Sequence, residues 1–246
     1  MRALSAGTIL KVWEEGAQER PAEWALTLLG HALPQRARES LAALPVGRRD
    51  ALLLAVRARI FGDALPGYAE CPACGEPFEF ALSTAELLDG APGAEGAPAP
   101  ATLEMEGVML RLRLPDGGDL AQLAAADVGD ATRWLLGRCV ERAERGGEAL
   151  DPTALPARVV AGIEAWMAAE DPLASLALAL RCAACGEAWR AAFDVASYLR
   201  VEIAARARRL VGEVHALAQA YGWREADILK MSAARRQAYL QLVGAS

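Results

Sequence analysis

Two stretches far apart in the chain, CPACGE at residues 71–76 and CAACGE at residues 182–187, decide how the sequence is interpreted. Each contains two cysteines that are separated by two residues and followed by a glycine. This is the spacing of a zinc knuckle, a tight turn from which two thiolates reach one metal ion. The glycine is expected at φ > 0, where the backbone can turn so that amides point at sulfur.

Together the two knuckles supply four thiolates, the complete tetrahedral set of a closed structural site. We therefore predict one structural Zn²⁺, bound by Cys71, Cys74, Cys182 and Cys185. Because 107 residues separate Cys74 from Cys182, the metal would staple the entry and exit of a long insertion. Removing it should be costly, since structural zinc contributes roughly 10–16 kcal/mol in small finger peptides.

Two other interpretations of the cysteines remain open. A single Cys-x-x-Cys pair could be a redox dithiol, although such pairs usually stand at a helix start beside a βαβ unit, which is missing here. Two iron–sulfur half-sites are a second option, but they lack the usual close grouping of cysteines. The fifth cysteine, Cys139, is expected within a helix as a buried thiol that packs like a small apolar residue.

Composition favours a helical, intracellular protein. The 246 residues are 54% hydrophobic but only 6% aromatic, which suits one large or two small domains rich in alanine and leucine. No apolar run approaches the roughly 18 residues that span a bilayer, and no secretory signal is evident. We therefore expect a cytoplasmic protein without a membrane partner, in which thiols stay reduced.

Charge is distributed unevenly along the chain. Residues 71–195 hold nine basic and twenty acidic side chains, whereas residues 196–246 hold eight basic and four acidic ones, within a net charge of -6. An acidic middle and a basic tail favour a protein partner over bulk nucleic acid, which requires a dominant basic surface.

The hydrophobic pattern predicts a mainly α fold with small β elements. Helical N- and C-terminal regions are joined by a four-cysteine zinc ribbon made of two knuckle hairpins, with a β-hairpin and helical insertion between them. The predicted regions are an N-terminal helical region (1–65), a first knuckle hairpin (66–88), a flexible Pro/Gly/Ala linker (89–101), the insertion (102–172), a second knuckle hairpin (173–194) and a C-terminal helical region (195–246).

Several local signals refine this prediction. Ser5 or Thr8 is expected to cap the first helix, Asp50 to precede a buried helix that Gly62 closes, and Asp194 to cap a long helix. The insertion's hairpin should turn near Gly107. Residues 145–156 are predicted to form a loop.

Evidence for catalysis is sparse. His31 lies on an apolar helix and His215 on the long C-terminal helix, and neither belongs to a His-Glu-x-x-His motif. Phosphate-binding and nucleophile-elbow motifs are missing, and four thiolates leave a zinc ion no open position. We therefore predict a protein that is not an enzyme and has no small-molecule substrate.

The stretch AQAYGWREADILKMSAARRQAYLQLV, residues 218–243, combines large apolar and basic side chains. It is interpreted either as a helical hairpin packing its own core or as an exposed aromatic and arginine surface that binds a partner. In the second interpretation the partner-binding residues include Trp223, Arg235, Arg236 and Tyr239.

Four stretches in order carry a family resemblance. They are LPVGRRDALLLAVRARIFG (44–62) leading into CPACGEPFEF, GVMLRLRLPDGGDLAQL (107–123), LRCAACGEAWRAAFDVASYLRVEI, and the YGWREADIL and RRQAYLQL tail. In this combination the chain resembles the baseplate-hub assembly chaperones of T-even-type contractile phages and their relatives in phage-tail-like contractile injection systems. Small phage members need not carry the knuckles, so the metal belongs more to the injection-system branch.

The resemblance implies a cytoplasmic assembly factor that binds a hub, spike or other baseplate protein, and it carries over no catalytic residue. The alternative is a zinc-ribbon nucleic-acid-binding or transcription accessory protein. Acidic residues flank the knuckles, however, with Arg181 and Arg190 as the basic neighbours, and phosphate contacts need the opposite sign. Nucleic acid is therefore not the expected partner.

Overall fold

A computed structural model describes residues 4–89, 98–125 and 129–244. The chain divides into two compact units, Met1–Gln35 with Ala196–Ser246, and Arg36–Val195. The division falls inside the region predicted as 1–65, so the second half of that region folds with the cysteine-bearing unit. Of the linker predicted at 89–101, residues 90–97 lie outside the described part.

The described part is mainly helical, as predicted, and its sheets are small and antiparallel. The helices are α1 (Ala6–Glu15), α2 (Pro21–Ala32), α3 (Arg38–Ala42), α4 (Val46–Phe61), α5 (Thr84–Leu88), α6 (Gly117–Ala125), α7 (Ala131–Cys139), α8 (Ala157–Glu170), α9 (Val195–Tyr221), α10 (Glu225–Lys230) and α11 (Ala233–Gly244). The strands are β1 (Ala64–Glu70), β2 (Pro77–Ser83), β3 (Ala101–Met105), β4 (Val108–Leu112), β5 (Val140–Arg145), β6 (Glu148–Ala149), β7 (Ala177–Arg181) and β8 (Ala188–Ala192). No described helix is long and apolar enough to cross a membrane.

The first unit contains α1, α2 and the three C-terminal helices. Ser5 caps α1 by accepting a hydrogen bond from the Thr8 amide, and Pro21 begins α2 at a position where its missing N–H costs nothing. The guanidinium of Arg200 on α9 donates to the carbonyls of Gly16 and Glu19, at 3.0 and 2.7 Å. The loop between α1 and α2 is therefore held by the long C-terminal helix.

In the second unit, the insertion forms its own core. Strands β3, β4, β5 and β6 make one antiparallel sheet in that order. The turn between β3 and β4 has Glu106 and Gly107 both at positive φ, which suits the right-handed twist of a hairpin and confirms the predicted turn. Side chains from β4, β5, α7 and α8 pack together: Val108, Leu110, Leu112, Leu136, Val140, Ala143, Val159 and Ile163.

Next to this core, a buried carboxylate connects α6 with α7. Asp119 accepts hydrogen bonds from Arg113 at 2.6 and 2.9 Å and from Arg138 at 3.0 Å. Burial raises the pKa of Asp119, but its hydrogen bonds to Arg113 and to the Asp116 amide lower it below the ordinary value. The ion pair therefore ties the turn after β4 to the end of α7.

Two local predictions were wrong, and one strand was not predicted. Helix α4 begins at Val46, so Asp50 lies inside it, where it accepts from Arg49 at 2.7 Å and is not a cap. Strand β5 follows Cys139 directly and was not predicted, because its sequence VERAER lacks a β-branched alternation. Consequently the predicted loop at 145–156 contains the end of β5, strand β6 and a 3-10 turn, Pro152–Ala154.

Candidate metal centre

Each cysteine pair lies at the tip of a two-stranded antiparallel hairpin within the second unit. Strand β1 pairs with β2 and β7 pairs with β8, in two separate sheets. The Gly75 amide donates to the Cys71 carbonyl at 2.9 Å, and the Gly186 amide donates to the Cys182 carbonyl at 3.0 Å. Both glycines have positive φ, 74° and 78°, as the sequence predicted. A Cβ atom at either position would strain the turn.

The two tips bring all four cysteine sulfurs together. The Sγ atoms lie within 4.8 Å of one another, and the closest cross-hairpin pairs are Cys71 with Cys185 at 3.6 Å and Cys74 with Cys182 at 3.7 Å. A tetrahedron with metal–sulfur bonds of about 2.3 Å has edges of about 3.8 Å, so the spacing fits a single ion. The prediction that these four residues converge is confirmed, and the donor set suits Zn²⁺ or one iron ion.

Burial divides the four thiols into an inner and an outer pair. Cys71 and Cys182 are buried, whereas Cys74 and Cys185 are exposed to solvent. The first cysteine of each knuckle therefore faces the protein and the second faces outward. The cluster therefore lies at a surface-facing tip of the unit.

The electrostatics of the thiols oppose the ionisation of all four at once. Burial raises the pKa of Cys71, but hydrogen bonds from the Cys74 and Ala73 amides outweigh it and lower that pKa to about 7. The Glu76 amide lowers the pKa of Cys74, yet the crowding sulfurs, Cys185 first, raise it to about 12. Four thiolates so close together repel one another, so their joint ionisation requires a bound cation, and binding must release protons.

An aromatic contact joins the two hairpins beneath the sulfurs. Phe78 and Trp189 occupy the same place in their hairpins, four residues after the second cysteine. Their rings meet edge to face, with centroids 5.7 Å apart at 83°. Such a pair contributes about 0.5–1.5 kcal/mol beyond its area burial. The two hairpins therefore meet at their clustered sulfurs and at this ring pair, four residues further along each strand.

The base of the first hairpin is tied to the C-terminal end of α4. Arg57, buried in that helix, donates to the Gly62 carbonyl at 2.8 Å, and Gly62 ends the helix with φ 89°. Asp63 then accepts from Ser83 Oγ at 2.7 Å and from the Ala85 amide at 2.9 Å, which joins the start of β1 to the end of β2.

The base of the second hairpin is tied to the N-terminal end of the same helix. Pro45 provides no side-chain cap for α4, and Asp171, which precedes β7, substitutes for it. Asp171 Oδ2 accepts from the Gly47 amide at 2.8 Å across 124 residues of sequence. The two hairpins thus start near opposite ends of α4 and meet again at the four sulfurs.

The fifth cysteine and the two histidines, considered above for chemistry, lie outside the cysteine cluster. Cys139 ends α7, fully buried, and burial raises the pKa of its thiol to about 12, as expected for an unreactive cysteine. His31 Nε2 lies 2.7 Å from Glu15 Oε2. His215 is exposed on α9.

Comparison with known proteins identifies a family for this chain. A family model described as T4 bacteriophage base plate protein matches residues 7–199. The chain belongs to this family. No curated protein and no solved structure matches the chain. The match to the baseplate family includes α4, both hairpins and the whole cysteine cluster.

The predicted partner-binding residues lie beyond the part matched by the baseplate family, on α11 and on the loop before α10. Trp223 and Tyr239 are half-buried and Arg235 is exposed. The prediction that Arg236 binds a partner is wrong, because Arg236 is only 2% exposed and its Nε donates to Glu213 Oε2 at 2.8 Å. It supports the packing of α11 on α9 and is not available to a partner.

Sequence reasoning missed the two residues that fix the hairpin bases, Arg57 and Asp171. Arg57 follows an apolar stretch, LLLAV, and a charged residue inside such a stretch was a usable signal of a buried structural role. Asp171 directly precedes Pro172, a frequent start of a turn, but nothing in that pattern points to α4 so far away in sequence.

Proposed function

We propose that this chain is a non-enzymatic assembly chaperone or accessory protein for the baseplate or hub of a contractile phage tail or contractile injection system. It acts by protein–protein binding on a scaffold stapled by one zinc ion. Membership of the baseplate family over residues 7–199 carries the proposal. The expected partner is a hub, spike or other baseplate protein.

The zinc part of the proposal is supported by the donor set. Four thiolates with no nitrogen or oxygen ligand complete a tetrahedron and leave no position for a substrate or an activated water. The sulfurs surround a volume suited to one ion, since all lie within 4.8 Å of one another, and a cluster of several irons needs a wider ligand spacing. The metal's role is then to hold the tips of two hairpins together.

The proposal of a non-enzymatic role is supported by the cavity between α7 and α8. Its volume is about 300 Å³, and Asp130, Arg133 and Glu164 contribute charged groups to a lining that is otherwise small or aliphatic. The lining contains neither histidine nor cysteine.

Pairwise co-expression with the baseplate proteins of the same particle tests the function. The full chain, tagged, should co-purify with one of them through size-exclusion chromatography, and the partner should be less soluble when expressed alone. A partner that reaches full solubility without this chain and never forms a complex with it would contradict the proposal. A salt-dependent mobility shift with DNA would favour the nucleic-acid alternative instead.

A further inference from the structure

An aromatic and arginine surface forms where the C-terminal end of α9 lies next to the first two turns of α11. We call Tyr221, Trp223, Arg224, Arg235 and Tyr239 the C-terminal patch. The Tyr221 and Trp223 rings stack with centroids 4.5 Å apart, and Trp223 meets Tyr239 edge to face at 4.8 Å. The Arg235 guanidinium lies 5.7 Å from the centre of the Tyr239 ring. These side chains form one connected cluster although 17 residues of sequence separate Tyr221 from Tyr239.

Solvent reaches this cluster. Tyr221 is 38% exposed, and Leu242, one turn beyond Tyr239 on the same face of α11, is 59% exposed. Arg235, Tyr239 and Leu242 follow the i, i+4, i+7 spacing of one helix face. Large aromatic and arginine side chains at the surface have the composition of protein interface hot spots.

The two arginines of the patch take part in no ion pair among the described residues. In α9 to α11, ion pairs join Lys230 to Asp227, and both Arg206 and Arg236 to Glu213. Arg224 and Arg235 are exposed and belong to none of these pairs. A partner that brings carboxylates to this surface therefore gains charge-assisted hydrogen bonds without breaking existing ones.

We propose that the C-terminal patch docks an acidic segment of a partner protein. An apolar side chain of the segment covers the exposed edges of Trp223 and Tyr239, and its carboxylates pair with Arg224 and Arg235. This inference rests on the proposed function as a protein-binding accessory factor, and it adds the location of the docking surface and the chemistry of the segment bound.

Two other occupants fit the patch less well. Single-stranded nucleic acid needs free aromatic faces for base stacking, but Tyr221 and Trp223 already cover one face of each other. A second copy joined through this patch by two-fold symmetry would bring two surfaces of the same positive charge together, and like charges across an interface are costly. An acidic protein segment has neither difficulty.

The fold holds the patch in place before any partner binds. Gly222 ends α9 with φ 67°, which turns the chain back toward α10. The buried Arg236 then bonds Glu213 of α9 and, at 2.6 Å, the Met231 carbonyl, so α11 is fixed against α9. A surface fixed in this way loses little conformational entropy on binding.

The test uses the purified full chain and overlapping peptides that cover the baseplate proteins of the same particle. Peptides that combine Asp or Glu with an apolar side chain should bind. Trp223→Ala should raise their Kd by about 30-fold, as expected for an interface hot spot. Arg235→Glu should raise it by at least about tenfold and weaken the salt dependence of binding.

Arg208→Glu is the matched control, because Arg208 is also exposed but lies about 20 Å from Tyr221 along α9 at 1.5 Å per residue. It should leave the peptide Kd unchanged. Trp223→Phe, which keeps an aromatic ring, should retain most of the affinity and separates loss of contact from loss of fold. Thermal melting of each variant checks that the helices remain folded.

Three results would overturn the inference. The first is that Arg235→Glu and Arg208→Glu change the peptide Kd equally, and the second is that no peptide binds. The third is that the chain binds a single-stranded oligonucleotide, or a second copy of itself, and that Trp223→Ala abolishes this binding. If Trp223→Ala and Arg235→Glu still capture a baseplate protein as well as the unaltered chain does, the proposed function stands and the patch assignment is wrong. If peptides bind but no intact baseplate protein does, the patch stands and the assembly role is wrong.

Discussion

Loss of the proposed zinc ion should destabilise the unit formed by residues 36–195 far more than loss of a buried thiol elsewhere in it. Cys182→Ser removes one ligand from the inner, buried side of the cluster. Cys139→Ala is the matched control, because Cys139 is also fully buried in the same unit but is not one of the clustered cysteines. The first variant should lose tightly bound metal, whereas the second should keep one ion per chain.

The expected magnitude follows from the loop that the proposed zinc ion would close. In an unfolded, metal-free chain Cys74 and Cys182, with 107 residues between them, are free to move apart. Cross-linking a loop of about 100 residues stabilises a protein by about 4.7 kcal/mol in the chain-entropy model. For a unit of this size each kcal/mol shifts the Tm by about 2–4 °C, so removing the staple should lower the Tm of this unit by roughly 10–20 °C.

Elemental analysis of purified protein and differential scanning calorimetry with and without a strong chelator measure both quantities. Metal removal should lower one transition, belonging to residues 36–195, and readdition of Zn²⁺ should restore it. The reasoning fails if the purified chain contains no metal, if the chelator leaves both transitions unchanged, or if Cys139→Ala costs as much as Cys182→Ser. Recovery of iron in place of zinc would keep the staple and change the ion. Reversible dithiol–disulfide cycling in metal-free protein would favour the redox interpretation.

Three smaller perturbations test the framework around the centre. Asp119→Asn should cost about 1–3 kcal/mol in urea unfolding at neutral pH, because it removes the carboxylate that bonds Arg113 and Arg138, while both arginines keep contact with solvent. Since the folded pKa of Asp119 lies below its ordinary value of 3.8, its stabilising contribution is present above that pH and is lost as the pH falls through the folded pKa, so acid should affect the Asn variant less. Gly186→Ala should cost about 1–2 kcal/mol of unfolding free energy and weaken metal binding in a chelator competition, because its φ of 78° is unfavourable for alanine. Asp171→Ala should cost about 1–2 kcal/mol and increase hydrogen exchange at the Gly47 amide, since it removes the cap of α4. An unchanged exchange rate there would show that the cap is dispensable.

Local chemistry made several features of this protein predictable from sequence. The repeated Cys-x-x-Cys-Gly motif identified the four cysteines that converge and the two glycines at positive φ, because tight turns impose residue identity directly. Gly107 and Gly62 marked a turn and a helix end for the same reason. The long apolar periodicity of α9 also sufficed to predict a helix, since its buried positions recur every three or four residues.

The sequence did not predict which distant residues and strands pair with one another. Arg236 looks like its neighbour Arg235 in a linear pattern, and only the packing of α11 on α9 buries one against Glu213 and leaves the other exposed. Strand β5 forms from VERAER because β4 offers it a partner and α7 places it there, which overrides its weak intrinsic preference.

The sequence by itself determined the ligands of the candidate metal centre, the turn geometry at each knuckle and the helical character of the termini, because these depend on residues a few positions apart. Only the tertiary structure decided that both hairpins start from one helix, α4, that Asp171 caps it, and that the chain divides at residue 35. Those features depend on contacts between residues more than a hundred positions apart, and no local pattern specifies which distant groups will meet.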